Sequence, residues 1–193
     1  MNLPKSILAG ATLCLLASCG SKKEIAQPSK NQKSYAEISV KEGGKWNGRK
    51  YEGGTFKNVQ SLRVPESHTD HSFYIRYEGP GWESNKVGYR LYLDWRNAID
   101  IYGKLTDTLV LPQVGQDGFD SYHKMSNWGA DILKVAKGLG VGSIGRVIDN
   151  EMYHFKEVDS TVAKVSNEHI RNPLKMYMMK IIILILLLIN ILN

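Results

Sequence analysis

From Val87 to Arg96 the chain runs VGYRLYLDWR, a strict alternation of Val87, Tyr89, Leu91, Leu93 and Trp95 against Gly88, Arg90, Tyr92, Asp94 and Arg96. Period two is the side-chain repeat of a β-strand, and so long a run requires sheet with two unlike faces. Ser72–Glu78 repeats it, with Phe73, Ile75 and Tyr77 set against Tyr74, Arg76 and Glu78, before the turn cluster Glu78-Gly-Pro-Gly81. Ala98–Tyr102 extends or bends the second strand, and Leu109–Val114 and Val147–Lys156 are weaker strand candidates. One helix is expected: Ser126 or Asn127 caps it, and Trp128, Ile132, Val135, Ala136 and Leu139 share a face. The expected fold is mainly β, an antiparallel β-sandwich with one short helix.

The folded part is expected at residues 35–165, within the usual size of one domain. Ahead of it, Lys5, the apolar run Ile7–Leu16 and Leu-Ala-Ser-Cys19 read as an export signal ending in a lipoprotein cleavage site. Residues 1–18 would be removed and Cys19 would carry lipid, followed by a polar tether over residues 19–34. The only cysteines are Cys14 and Cys19, so no structural disulfide, Cys-ligated metal or thiol nucleophile is available. Residues 166–193 end in an apolar run, Ile181–Ile189, far short of the roughly 20 residues of a spanning helix. Its Ile, Leu, Asn, Lys and Met composition is read as an aberrant, frameshift-like tail. The net charge of +6 falls to about +2 without Lys5, Lys164, Glu168, Arg171, Lys175 and Lys180, which gives no argument for nucleic acid.

The polar members of the two strong strands are the first candidates for binding. Residues two apart on a strand stand about 6.5–7 Å apart on one face, the reach of a sugar ring. Arg76 and Glu78 with Arg90, Tyr92, Asp94 and Arg96 would form a charged wall, whose guanidinium forks suit carboxylated or sulfated sugars. Trp82, in the turn after Gly-Pro-Gly, is the sugar-facing aromatic, whereas Trp95 and Trp128 sit on apolar faces. The second candidate is the loop Gln116-Asp-Gly-Phe-Asp-Ser-Tyr-His123. Elimination from a uronate needs a base, an acid and a cation for the carboxylate: Tyr122 or His123 as base or acid, Arg90 or Arg96 as clamp. Hydrolysis would instead use two carboxyl groups, with Asp94, Asp117 and Asp120 as candidates. His68-Thr-Asp-His71 is read as a polar loop, since no third metal ligand has recognisable spacing. Gly140-Val-Gly-Ser-Ile-Gly145 matches a dinucleotide motif in letters, but lacks the strand-before-helix context and is read as a glycine-rich turn. No cofactor is expected.

Glu78-Gly-Pro-Gly-Trp-Glu-Ser84, Lys86-Val-Gly-Tyr-Arg90, Tyr92-Leu-Asp-Trp-Arg-Asn97 and Gln116–His123 together resemble the Bacteroidota domain-of-unknown-function 4861 family. The resemblance is strong over Tyr74–Gly145. It implies an exported lipoprotein of polysaccharide utilisation, with a β-sandwich of the mutarotase-like or supersandwich kind, acting on uronic-acid glycans. It also implies a chain of about twice this length, so the sandwich is expected to be incomplete and an inactive truncated product is one expectation. The leading expectation is processing of uronic-acid oligosaccharides by elimination or dehydration rather than hydrolysis. The alternative is a non-catalytic glycan-binding lipoprotein. Both place the protein in the cell envelope, anchored through Cys19 and facing the periplasm.

Overall fold

The computed structural model describes residue 28, residues 32–118, 121–135, 138–156 and 158–167, and the backbone of residues 182–184. The signal, Cys19, most of the tether, Asp120 and most of the tail lie outside the described residues. Among those described, no helix is long and apolar enough to cross a membrane.

The centre is a five-stranded antiparallel sheet, in the order β1 (Ser34–Glu37), β5 (Gly81–Ser84), β6 (Val87–Leu91), β7 (Ile99–Lys104), β8 (Gly129–Asp131). Beside it lie the hairpin of β2 (Ser39–Asn47) with β3 (Lys50–Asn58) and the hairpin of β9 (Gly145–Ile148) with β10 (Glu151–His154). A small sheet joins β4 (Ser61–Arg63), β11 (Val162–Lys164) and β12 (Ile182–Leu184). All pairings are antiparallel, and the architecture is the expected mainly-β, sandwich-like one.

Alternate residues of the central sheet feed two different cores. Ala36, Leu91 and Leu93 join Ile38, Val40, Ile75, Leu62 and Ala163 in an aliphatic cluster. Tyr35 and Tyr102 join Tyr77, Val110, Leu111, Val114 and Tyr122 in a tyrosine-rich one. Arg90 stands on the tyrosine side, its guanidinium over the Tyr92, Tyr102 and Tyr122 rings. Both faces of the sheet are therefore covered, and the alternation separates two kinds of interior rather than interior from water. Arg90 and Asp100 are 0% exposed and face one another across β6 and β7.

Several expected elements take other forms. Ser72–Glu78 is not a strand: one isolated bridge joins Val40 to Ile75, and a 3₁₀ turn spans Arg76–Glu78. His71, Phe73, Tyr77 and Glu78 all have left-handed φ, which breaks strand geometry and sends Ile75 and Tyr77 into different cores. Leu109–Val114 closes into a 3₁₀ turn at Leu111–Gln113, where Pro112 has no N–H for a ladder. Val87–Arg96 is strand only to Leu91. The chain then turns at Asp94–Asn97, with Asn97 N–H donating to Asp94 O at 3.0 Å. Trp95 at that tip is 36% exposed instead of core.

Among the described residues from Ser126 to Leu139, the expected helix is absent. Gly129, at φ 129°, leaves helical space, and the ladder of β7 offers Gly129–Asp131 backbone partners that an isolated short helix would lack. Gly140–Gly145 is a turn, as expected: Gly142 has φ 77° and Ile99 N–H donates to Val141 O at 2.7 Å. Val147–Lys156 folds back at Asp149-Asn150, whose φ of 49° and 67° suit a two-residue hairpin turn.

Candidate functional site

A cleft of about 560 Å3 opens beside the tyrosine-rich core. Tyr92 and Arg96 reach it from the end of β6, Tyr122 and His123 from the 3₁₀ turn Ser121–His123, and Asp131 from β8. Glu78 and His71 close one side, and the segment from Ile132 to Val135 forms the rim. Five predicted residues from three segments thus meet in one place: Glu78, Tyr92, Arg96, Tyr122 and His123.

The cleft is held from beneath by Arg90. Its Nη2 donates to Asp100 Oδ2 at 2.6 Å and to Asp131 Oδ2 at 3.0 Å, its Nε donates to Asp100 Oδ2 at 3.1 Å, and its Nη1 donates to the Tyr122 hydroxyl at 2.8 Å. Tyr92 also contacts Arg90 Nη2 and donates its own hydroxyl to Asp100 at 2.8 Å. Arg90 is therefore a buried hub that positions the cleft, and cannot serve as the surface clamp that strand alternation suggests.

Arg96 is the arginine that lines the cleft, with Lys134 at its rim. Its guanidinium lies 3.6 Å over the Tyr92 ring, donates from Nε to Asp94 Oδ1 at 2.8 Å, and pairs through Nη2 with Glu78 at 2.8 Å. Burial alone would lower its pKa, but Asp94 and Glu78 outweigh that and raise it. The side chain of Asp94 is fully buried in this pairing, so it serves the arginine rather than a glycosidic bond.

Asp131 is the chemically distinctive carboxyl. Its side chain is 2% exposed, and burial pushes its pKa up to about 7 against the pull of Arg90, with Asp100 beside it adding to the rise. Its Oδ2 lies 3.2 Å from Nδ1 of His123, which is half-exposed. A carboxyl that exchanges its proton near neutrality, next to an imidazole at the mouth of a cleft, is an arrangement for proton transfer. Burial raises the Tyr122 phenol above its ordinary range, with Arg90 opposing. That makes Tyr122 a hydrogen-bond donor, not the base the sequence left open.

The other predicted residues lie elsewhere. Arg76 is buried in the tyrosine core, paired with Glu37 and donating to Pro112 O at 3.3 Å. Trp82 is half-buried, stacked on Tyr89 at 5.5 Å and packed against the aliphatic cluster, so it offers no sugar platform. Asp117 accepts from Ser121 Oγ at 2.5 Å and borders a separate cavity with Lys41 and Phe73. Among the described residues, no group of His, Cys, Asp and Glu is placed to hold a metal ion.

Sequence reasoning missed Asp131 and Asp100. Asp131 was hidden in the apparent helix. Asp100 carried a usable signal: Arg90 and Asp100 are nearly equidistant from the turn Asp94–Asn97, which is where hairpin register places partners.

Among family models, the one described as "Domain of unknown function (DUF4861)" matches residues 18–177. No curated protein and no solved structure matches the chain.

Proposed function

The chain belongs to the DUF4861 family, and from that premise and the cleft we propose that it processes uronic-acid-containing oligosaccharides by elimination or dehydration. The observation that carries this is the convergence of Arg96, Tyr122, His123 and the proton-exchanging Asp131 around one cleft of sugar size. His123 takes the proton from the carbon next to the sugar carboxylate. The electron pair left behind forms the new carbon–carbon double bond as the neighbouring C–O bond breaks, and the leaving oxygen receives a proton. Tyr122, which holds its proton, stands ready as that donor, and Asp131 orients His123.

Arg96 meets the sugar carboxylate. It must share its guanidinium with Glu78 and Asp94, so the clamp is weaker and more strictly oriented than a free arginine would be. We place the protein in the cell envelope, exported by residues 1–18, anchored through lipid on Cys19 and facing the periplasm. One observation favours hydrolysis as a second reading: Asp131, pushed up to about 7, lies across Arg90 from a second carboxyl, Glu78, and acid-catalysed cleavage uses a pair of carboxyl groups.

The test is incubation with oligogalacturonides, following the ultraviolet absorbance of an unsaturated uronate and, in parallel, new reducing ends. Elimination across a linkage gives both signals, dehydration of a terminal unit gives the absorbance alone, and hydrolysis gives reducing ends alone. Binding with neither signal leaves a non-catalytic glycan-binding protein. His123→Ala should cut turnover by about 10²–10⁴-fold while keeping binding. Unchanged turnover in that variant would remove His123 from the mechanism.

A further inference from the structure

A further cavity, of about 480 Å3, is linked to the cleft by one ion pair and one loop. Arg96 lines the cleft and its ion-pair partner Asp94 lines the further cavity. The loop His68-Thr-Asp-His71 is divided in the same way, with His71 at the cleft and His68 at the further cavity.

Two features make this cavity more than a gap between loops. Trp95 lines it from the tip of the turn after β6, with 36% of its surface exposed. His68, only 8% exposed, is fixed by a 2.8 Å hydrogen bond between its Nδ1 and Ser72 Oγ, and its buried Nε2 has no hydrogen-bond partner within the protein. A buried polar atom without a partner is uncommon and calls for an explanation. Burial, the largest influence on this imidazole, lowers its pKa and favours the neutral ring, despite the pull of Asp94 and Glu78. A neutral ring presents at Nε2 either a donor or a lone pair, depending on which tautomer Ser72 selects. A hydroxyl group satisfies both, since it donates and accepts. An exposed indole beside it covers the C–H face of a ring that carries such hydroxyls.

We propose that this cavity is a second saccharide subsite, in which one sugar ring stacks on Trp95 and, as the His68 ring shifts to uncover its buried Nε2, places a hydroxyl on that atom. An oligosaccharide then extends across the Asp94–Arg96 pair, with its reacting unit in the cleft. The proposal rests on the saccharide reading of the cleft and adds that the natural ligand is longer than one unit.

The test is the dependence of affinity on chain length, measured by calorimetric titration of the full chain with galacturonic acid and its dimer and trimer. For the wild type, affinity should rise at least tenfold from monomer to trimer. Trp95→Ala removes a side chain at an exposed turn tip and should leave the circular dichroism spectrum unchanged. It should bind the monomer as before and lose the gain with length. His68→Gln keeps a polar group of similar reach and should reduce the gain in part. Equal length dependence in wild type and Trp95→Ala overturns the subsite while leaving the cleft reading intact. Equal weakening at every length overturns it too, by assigning Trp95 to the site of the first sugar. Failure of the wild type to bind any of the three overturns the saccharide reading of the cleft together with this proposal.

Discussion

Asp131→Asn isolates the ionisation on which the proposed chemistry depends. The carboxyl has its proton-exchange point at about 7 in the fold, against the ordinary aspartate range when unfolded, chiefly because it is buried. The native state therefore holds this proton to higher pH than the unfolded chain does. Stability from this group is fully present below about pH 4 and is lost as pH rises towards 7. Moving an ionisation over that interval corresponds to at most about 4 kcal/mol, of which about 3 kcal/mol falls between pH 5 and pH 8. Asparagine has the same shape and no ionisation. Its amide oxygen can replace Oδ1 as the acceptor from Leu133 N–H at 3.1 Å, while its NH2 takes the place of Oδ2, which accepts from Arg90 at 3.0 Å; that loss is the same at both pH values and cancels in the comparison. Wild type and variant should be compared by urea unfolding at pH 5 and pH 8. The variant should gain on the wild type by about 1–3 kcal/mol between the two pH values. His68 acts in the opposite sense: its lowered pKa means stability is lost as pH falls, but it is present in both proteins and cancels in the comparison. A difference between the two proteins that is the same at both pH values would refute the argument that Asp131 is forced to hold its proton by the fold.

Three further substitutions test the architecture. Arg90→Met leaves Asp100 and Asp131 without their counter-charge inside the tyrosine core and should cost about 3–5 kcal/mol, with Asp100→Asn restoring part of it. Thermal melts followed by circular dichroism would show this, and an unchanged midpoint would contradict the hub role. Gly79→Ala would drive a methyl group into the backbone oxygen of Leu91, a clash that no rotamer change relieves. A loss of about 1–3 kcal/mol or more is expected, read as a lowered urea midpoint. Trp82→Ala should cost stability, including about 0.5–1.5 kcal/mol for the lost stack on Tyr89, and leave saccharide affinity unchanged, the converse of Trp95→Ala in calorimetry.

The sheet was legible because alternation is a backbone property: β6 and β7 lie where period two and turn residues place them, whereas Val147–Lys156, read as one strand, falls in the β9–β10 hairpin. The covering of that sheet was not legible. Alternation reports two unlike faces without saying whether either meets water, and here Arg90 and Asp100 complete each other across strands while tyrosines enclose them. The same ambiguity exchanged the two tryptophans. Trp95 fell on the apolar side of the pattern, but the strand ends at Leu91, so by residue 95 the pattern no longer describes a sheet. Asp131 failed for a different reason. Trp128, Ile132, Val135 and Leu139 satisfy a helical period by position alone, and only the glycine at 129 and the open ladder of β7 decide against it. The site was half legible, because residues that bring chemistry to a loop, such as Tyr122 and His123, announce themselves by type, whereas the groups that position them do so only through register.

A guanidinium at the centre of a core is an expensive way to fill space, since apolar side chains of equal volume would cost less to bury. What Arg90 provides in return is geometry. One planar group reaches Tyr92, Tyr122 and Asp131, which come from three different segments and all line the cleft. Asp100, bonded twice by Arg90 and once by the Tyr92 hydroxyl, fixes the plane of that group. The cleft is thus set from beneath by a network whose members are not themselves exposed, and the raised ionisation of Asp131 follows from its being buried in that network. On this view the polar row of VGYRLYLDWR serves the site at two depths. Arg90 positions Tyr92, Tyr122 and Asp131 from inside the core, and Arg96, where the strand has given way to a turn, is the arginine carried to the surface of the cleft.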